Sequence, residues 1–199
     1  MKKLGRKLAA AAAILAIAAL WIASSAQPAP ARQRLDPSYR FDGGTPRERA
    51  QVRSALRASS FDWRVVPVMV TVHIIRDLGT SEAAPGEIWL DAGLLDSGIF
   101  AWGVVQHEFA HQVDFLCLDD AARALLLGEL GGTGWWASGG GIARHSDAAA
   151  ERFASTLAWA YWPSRLNVMG PADAGVESGS VSPARFRALI ESVLGRSRG

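Results

Sequence analysis

Near the middle of the chain stands the sequence His107-Glu108-Phe109-Ala110-His111, the pattern H-E-x-x-H. In an α-helix, two residues four positions apart lie on one face, about 40° apart around the axis. Both imidazoles can therefore reach one metal ion, and Glu108 projects beside the place of an attacking water. The pattern predicts a helix that binds zinc and supplies a general base.

The helix that carries this motif is expected to be long and buried. Residues 98–118 are apolar nearly all round, and a helix that is hydrophobic on every side lies inside a protein. Asp96 or Ser97 is expected to cap it. Cys117, the one cysteine, excludes an internal disulfide and is predicted to be a small buried apolar residue of this helix.

A catalytic zinc takes three protein ligands and leaves one position for water, so a third ligand is needed. Glu151 lies near the start of a helix predicted over residues 147–161, among small side chains. A carboxylate on an inward-packing helix is costly unless its charge is satisfied, and a metal would satisfy it. We therefore predict His107, His111 and Glu151 as metal ligands.

Two residues just ahead of Glu151 leave alternatives open. His145 or Asp147 could replace Glu151 as the third ligand. His145 is also the nearest candidate for stabilising an oxyanion, so we predict a catalytic role for it beside Glu108. Tyr161 is rejected for that role, because it lies ten residues beyond Glu151, about 15 Å along the same helix.

The remaining elements alternate in type and predict an α+β domain. We expect a capped helix over residues 45–58, a strand within 65–75, a turn region over 79–86, a strand over 87–91, a helix over 119–130 and a last amphipathic helix from Pro183. The strand over residues 87–91 is the expected edge against which an extended peptide would pair.

With these residues, the chain resembles the zincin metallopeptidases, and among them the gluzincin-like branch with a downstream glutamate ligand. HEFAHQVD with the later ERFA is also similar to bacterial titration-factor-type zinc peptidases. The resemblance covers roughly residues 65–161. It implies a zincin-like fold, with a small mixed sheet packed on the buried H-E-x-x-H helix and a second ligand-bearing helix, and a zinc-dependent hydrolase activity.

The chain departs from the zincin patterns at two places. Zincins with a glutamate ligand often carry, four residues later, an Asp that orients a histidine; here that residue is Ser155. The extended metzincin pattern needs Gly and His where this chain has Asp114 and Cys117, which argues against that branch. Asp114 could itself accept the free N–H of an imidazole, or it could be a surface carboxylate.

The N-terminus has the pattern of an export signal. A basic start precedes 16 uncharged apolar residues, which span about 24 Å as a helix, and small residues follow. We expect a cleaved signal peptide over residues 1–26, with a retained membrane anchor as the alternative. Residues 27–38 predict a flexible linker, and residues 39–199 the zincin-like domain.

Removal of this signal would change the charge from +2 to about −2, because 17 arginines and 19 acids remain. The arginines are dispersed among acids, so nothing predicts a nucleic-acid partner. We expect a secreted or extracytoplasmic protein that acts on a peptide or protein substrate and does not contact the membrane after signal cleavage.

Two readings of function remain open. The first is an exported zinc-dependent peptidase with one Zn²⁺ and Glu108 as general base. The second is a non-catalytic exported zinc-binding or interaction domain, which a fourth protein ligand on the metal would favour. Trp135 and Trp136, in a glycine-rich loop, line a substrate cleft in one interpretation and cover the edge of the core in the other. His73 is expected to be structural.

Overall fold

The computed structural model describes residues 38–136, 145–171 and 178–196. The strands are β1 (Tyr39–Gly43), β2 (Val70–Ile75), β3 (Glu82–Ala84) and β4 (Glu87–Asp91), and the helices are α1 (Pro46–Ala58), α2 (Ala92–Asp96), α3 (Trp102–Cys117), α4 (Asp120–Leu130), α5 (Ala149–Tyr161) and α6 (Pro183–Arg196). These elements confirm the α+β class.

The predicted signal peptide over residues 1–26 lies outside the described residues. Within them, every helix is too short or too polar to cross a membrane.

The four strands form one small mixed sheet in the order β1-β2-β4-β3. β1 and β4 run parallel to β2, and β3 runs antiparallel to β4. Val72, at the centre of the sheet, pairs with Phe41 on one side and with Ile88 on the other. The alternate residues of β2, Val70, Val72 and Ile74, are buried as their spacing predicted.

The sheet corrects the prediction for its edge. β4 is not an edge strand, because β2 and β3 flank it on both sides. The edge beside β4 is β3 (Glu82–Ala84), inside the segment that was expected to be only a turn. This strand is short and poor in β-branched residues, so its sequence carries little strand signal. Its pairing with β4 comes from the tight turn at Gly86, where φ is +81°.

Two further strand predictions differ from the structure. β1 was not predicted, although Tyr39 and Phe41 alternate with Arg40 and Asp42, because this run is only four residues long and ends at a pair of glycines. The strand expected within residues 65–75 begins only at Val70. A 3₁₀ turn over Trp63–Val65 and then Pro67, which lacks a backbone donor, delay its start.

The helix α1 begins as predicted. The Thr45 hydroxyl accepts from the backbone N–H of Glu48, and the Glu48 carboxylate accepts from that of Thr45 at 2.7 Å. This reciprocal pair satisfies two N–H groups that the helix itself leaves unpaired. The caps predicted for α3 are not used, because α3 follows directly on a 3₁₀ turn over Gly98–Ala101.

The motif helix α3 lies at the centre of the fold, as predicted. It packs against α1, α5 and the sheet, and every residue from 105 to 114 is buried. Phe109 fills the aromatic part of the core, with its ring 5.9 Å from those of Tyr39 and Trp63. Six of these ten buried residues are polar or charged, so their side chains need partners.

Candidate metal centre

Two helices bring the three predicted ligands together. α3 supplies His107 and His111, and the first turn of α5 supplies Glu151. Glu151 Oε2 lies 3.1 Å from His107 Nε2 and 3.2 Å from His111 Nε2. The two Nε2 atoms are 3.1 Å apart. Among the described residues, these three form the group whose ligand atoms could hold one metal ion.

The size of this triangle fits a zinc ion. Ligand atoms 2.0–2.1 Å from a tetrahedral zinc lie about 3.3 Å from one another, close to the separations of the three atoms here. Two imidazoles and one carboxylate are also ligand types that zinc accepts in sites that keep an open position. The side chains of His107 and His111 are only 6% and 8% exposed, so little bulk water would compete with a cation between them.

The electrostatics of the triangle keep the Glu151 carboxylate ionised. Burial by itself raises the pKa of Glu151, but hydrogen bonds and charge from the two imidazoles outweigh it, and the pKa lies far below its usual range. Burial lowers the pKa of His111, but the Glu151 carboxylate outweighs this and the pKa is raised. Glu151 is therefore an anion that holds a proton or a cation between the imidazoles.

Ser155, one turn beyond Glu151 on α5, orients His107. Its Oγ lies 3.0 Å from His107 Nδ1. With a metal on Nε2, Nδ1 would carry the ring proton and donate it to this oxygen, which would fix the tautomer and the direction of the ring. Ser155 lies at the position where the zincin pattern often has an Asp. The sequence identified this position only as a departure.

Asp114 does not take the role that was considered for it. Its side chain is fully buried and accepts from Arg123 Nε at 2.9 Å and from Trp135 Nε1 at 3.0 Å. Burial raises the pKa of Asp114, and the bonds from Arg123 and Trp135 oppose this. The carboxylate is therefore neither on the surface nor bonded to an imidazole. Within the described part of the chain, His111 Nδ1 has no hydrogen-bond partner.

Glu108 is 5% exposed and lies in the wall of a cleft of about 640 Å³ that also contains the three ligands. A cleft of this size suits a segment of a peptide or another ligand of similar size. The other lining residues are Gly79, Thr80, Ser81, Glu82, Ala83, Asp91, Leu94, Val104, Phe115, Trp136 and Met169. The metal triangle and the buried carboxylate therefore open onto one shared space.

Of the remaining candidates, the structure separates Asp147 and Tyr161 from this cluster and does not test His145. His145 lies in a 3₁₀ turn, His145–Asp147, just ahead of α5, but its side chain is outside the described part of the chain. The triangle contains Glu151 and does not contain Asp147. Tyr161 lies at the far end of α5 with its ring 5.0 Å from that of Phe61, which agrees with its rejection.

Cys117 and His73 contact residues outside the candidate metal centre. Cys117 is half-buried, and its thiol lies 3.5 Å from the carbonyl oxygen of Val65. His73 stacks on Trp89 with 5.2 Å between ring centroids, and its Nδ1 lies 2.9 Å from Asp42 Oδ2. These contacts are consistent with the structural interpretation of His73.

Comparison with protein-family models, curated proteins and solved structures gives no match. The cluster of His107, His111 and Glu151 is compatible with a zincin-like site, and the resemblance to zincins stays a prediction from these motifs. The geometry of the site is therefore the basis on which its function is proposed.

Proposed function

We propose that this protein is a zinc-dependent hydrolase that cleaves peptide bonds. The observation that carries the proposal is the triangle of His107, His111 and Glu151, which shares a cleft with the buried carboxylate of Glu108. The three residues would hold Zn²⁺, which when bound activates a water molecule and polarises a carbonyl group.

Glu108 is the proposed general base. It follows His107 directly on α3, and its carboxylate lies in the same cleft as the ligands. It would take one proton from the attacking water as the new C–O bond forms. It would then give that proton to the amine nitrogen as the C–N bond breaks, which regenerates the carboxylate and releases an acid and an amine.

The free edge of β3 supports a peptide as the substrate. Among the described residues β3 pairs with β4 on one side only, and its residues Glu82 and Ala83 line the cleft. An unpaired strand edge offers N–H and C=O groups that an extended peptide can pair with. The proposed backbone pairing therefore moves from β4, where the sequence suggested it, to β3.

Two parts of the proposal rest on the sequence, because residues 1–26 and the side chain of His145 lie outside the described part of the chain. Export and an extracytoplasmic location rest on the composition of residues 1–26. The catalytic role of His145, as a donor to the oxyanion, rests on its place just ahead of α5. His145→Ala would lower kcat by about 10²-fold if it has this role.

The alternative is an exported zinc-binding or interaction domain without catalysis. Structural zinc sites are normally closed by four protein ligands. The cluster in the described residues offers three ligands and opens onto a cleft that also holds Glu108. These features favour the enzyme.

A matched pair of substitutions tests the proposal. Glu108→Gln should keep one zinc per chain and lower peptide hydrolysis by at least about 10²-fold. Glu129→Gln makes the same chemical change at the end of α4, where Glu129 pairs with Arg185, and should leave hydrolysis unchanged. The proposal is wrong if zinc-loaded protein cleaves no member of a broad peptide library, or if Glu108→Gln cleaves like the wild type.

A further inference from the structure

The cleft follows one face of α3. Its lining includes Val104, Glu108, His111 and Phe115, at spacings of three or four residues. Phe115 lies six residues beyond the midpoint of the two metal-site histidines, about 9 Å along the helix axis. An extended peptide advances about 3.3 Å per residue. If the peptide runs along α3 with its scissile bond at the metal site, Phe115 would lie beside a residue two or three positions from that bond.

A row of aromatic rings forms the wall at this end of the cleft. The Phe115 ring is centred 5.9 Å from that of His111, with 21° between the ring planes. It is also centred 5.6 Å from the Trp136 ring, at 20°. The row therefore leads from a metal-site imidazole to Trp136, which is 45% exposed.

Backbone hydrogen bonds attach the residues just before Trp136 to α5. Thr133 N–H donates to the carbonyl of Asp147, and the carbonyl oxygens of Gly134 and Trp135 accept from the N–H groups of Ala149 and Ala150, all at 2.9 Å. These bonds tie residues 133–135 to the start of the helix that carries Glu151. The loop segment that ends in Trp136 is thus attached to the metal site itself.

The two neighbouring tryptophans have different roles. Trp135 turns inward, where its ring lies 5.9 Å from that of Phe153 and its N–H donates to Asp114. Trp136 instead lines the cleft with almost half of its surface exposed. Covering the core accounts for Trp135, whereas Trp136 presents exposed aromatic surface to the cleft.

We propose that Phe115 and Trp136 determine specificity by binding an aromatic side chain of the substrate peptide, two or three residues from the bond that is cleaved. This inference rests on the proposed function. Aromatic rings favour contacts with centroids 4.5–7 Å apart, which the edge of this row offers to a further ring. The Arg123 guanidinium also lies 5.7 Å from the centre of the Trp136 ring.

Binding to a zinc-loaded but inactive variant tests this inference without turnover. In the Glu108→Gln background, fluorescent peptides that differ by Phe or Ala at one position at a time are titrated by anisotropy. At one position of the peptide, the version with Phe should bind at least about tenfold more tightly than the version with Ala.

Three further variants in the same background assign this preference. Trp136→Ala should reduce it to about twofold or less, and Trp136→Phe should retain most of it because an aromatic ring remains. Trp89→Ala is the matched control, since Trp89 stacks on His73 outside the lining of the cleft, and the preference should stay intact. Zinc content and melting temperature report whether each variant is folded.

The outcomes separate this inference from the proposed function. The inference is overturned if no peptide position prefers Phe, if no peptide binds, or if the preference survives Trp136→Ala. If the preference depends on Trp136 but the wild-type protein cleaves nothing, the binding of an aromatic side chain at Trp136 stands, and the hydrolase proposal fails together with the link to a cleaved bond. If the wild type cleaves peptides without regard to Trp136, the hydrolase proposal stands and the inference fails.

Discussion

The hydroxyl oxygen of Ser155 lies 3.0 Å from Nδ1 of His107, on the side of the ring away from Glu151. Most zinc-ligating histidines donate this N–H to a carboxylate, a carbonyl or a water. Here a neutral hydroxyl stands in the place of that acceptor, so a carboxylate is not needed to orient the His107 ring. The hydroxyl oxygen also lies 3.5 Å from Met169 Sδ, which gives its own proton a direction.

Ser155→Ala should weaken zinc binding by about 10- to 100-fold, because Nδ1 loses its acceptor and the ring loses its orientation. Competition with a chelator of known affinity measures the change. Thr156→Val is the control, since the neighbouring Thr156 hydroxyl is buried but has no hydrogen-bond partner among the described residues. Equal zinc affinity in Ser155→Ala and the wild type would contradict this role.

Gln112 fastens the β3–β4 hairpin to the metal helix. Its amide nitrogen donates to the carbonyls of Ala84 at 2.8 Å and Glu87 at 3.0 Å, and its oxygen accepts from Gly86 N–H at 2.7 Å. Because Gln112 follows His111 directly, these bonds set the distance between the proposed peptide-binding edge and the ligands.

Gln112→Leu should therefore raise the KM for long peptides severalfold and keep the zinc stoichiometry. Gln106→Leu makes the same change on the same helix, where the amide donates to the carbonyl of Ala55 in α1. It should cost stability but leave KM unchanged. Kinetics on a long and a short peptide provide the test, and an equal rise of KM in both variants would refute a positioning role for Gln112.

Protons and zinc should compete at the triangle. In the metal-free protein the His111 pKa is raised above 6.5, so its stabilising contribution is complete below pH 6.5 and is lost as the pH rises through the higher folded value. The Glu151 pKa is lowered below 4.5, so its contribution is present above pH 4.5 and is lost as the pH falls through the folded value.

These two pKa shifts stabilise the folded, metal-free protein against unfolding most strongly between pH 4.5 and 6.5. Zinc needs neutral imidazoles, so the rise in melting temperature on adding zinc should grow from about pH 5 to pH 8. Thermal melts with zinc and with a chelator check this. Glu151→Gln removes the carboxylate that raises the His111 pKa, so it should weaken zinc binding and shift this pH dependence to lower pH. A zinc effect that is equal at both pH values in the wild type would contradict the assignment.

The buried Asp114–Arg123 pair should be important for stability. Asp114→Asn leaves the Arg123 guanidinium without its buried anionic partner, and we expect a loss of about 3 kcal/mol in the free energy of unfolding. Asp120→Asn is the control, because Asp120 contacts the same arginine at 3.4 Å but is fully exposed, and it should change little. Urea unfolding of the zinc-loaded proteins measures both, and similar losses would show that the buried contact is not special.

Local patterns in the sequence predicted the parts of the fold that depend on local chemistry. The capping residues around Thr45 and the helical spacing of His107 and His111 specify α1 and α3 without reference to distant residues. Glu151 was found because a carboxylate on an apolar helix needs a partner, and the structure brings it to the two histidines.

The parts that were missed depend on distant partners. β3 is a strand only because β4 pairs with it, and the roles of Gln112 and Ser155 come from residues more than 20 positions away. Neutral polar residues give no charge signal that would mark them. Trp135 and Trp136 could not be distinguished by sequence, because the pairing of the loop with the start of α5 decides which one turns inward.

X-ray absorption at the zinc edge of the purified protein tests the central claim most directly, in parallel with elemental analysis of wild type and Glu151→Ala. We predict one zinc per chain, coordinated by two imidazole nitrogens and by oxygen at about 2.0–2.1 Å, and loss of most of the metal in Glu151→Ala. A protein that binds no zinc, or one whose zinc content and ligand set are the same in Glu151→Ala, would contradict the account.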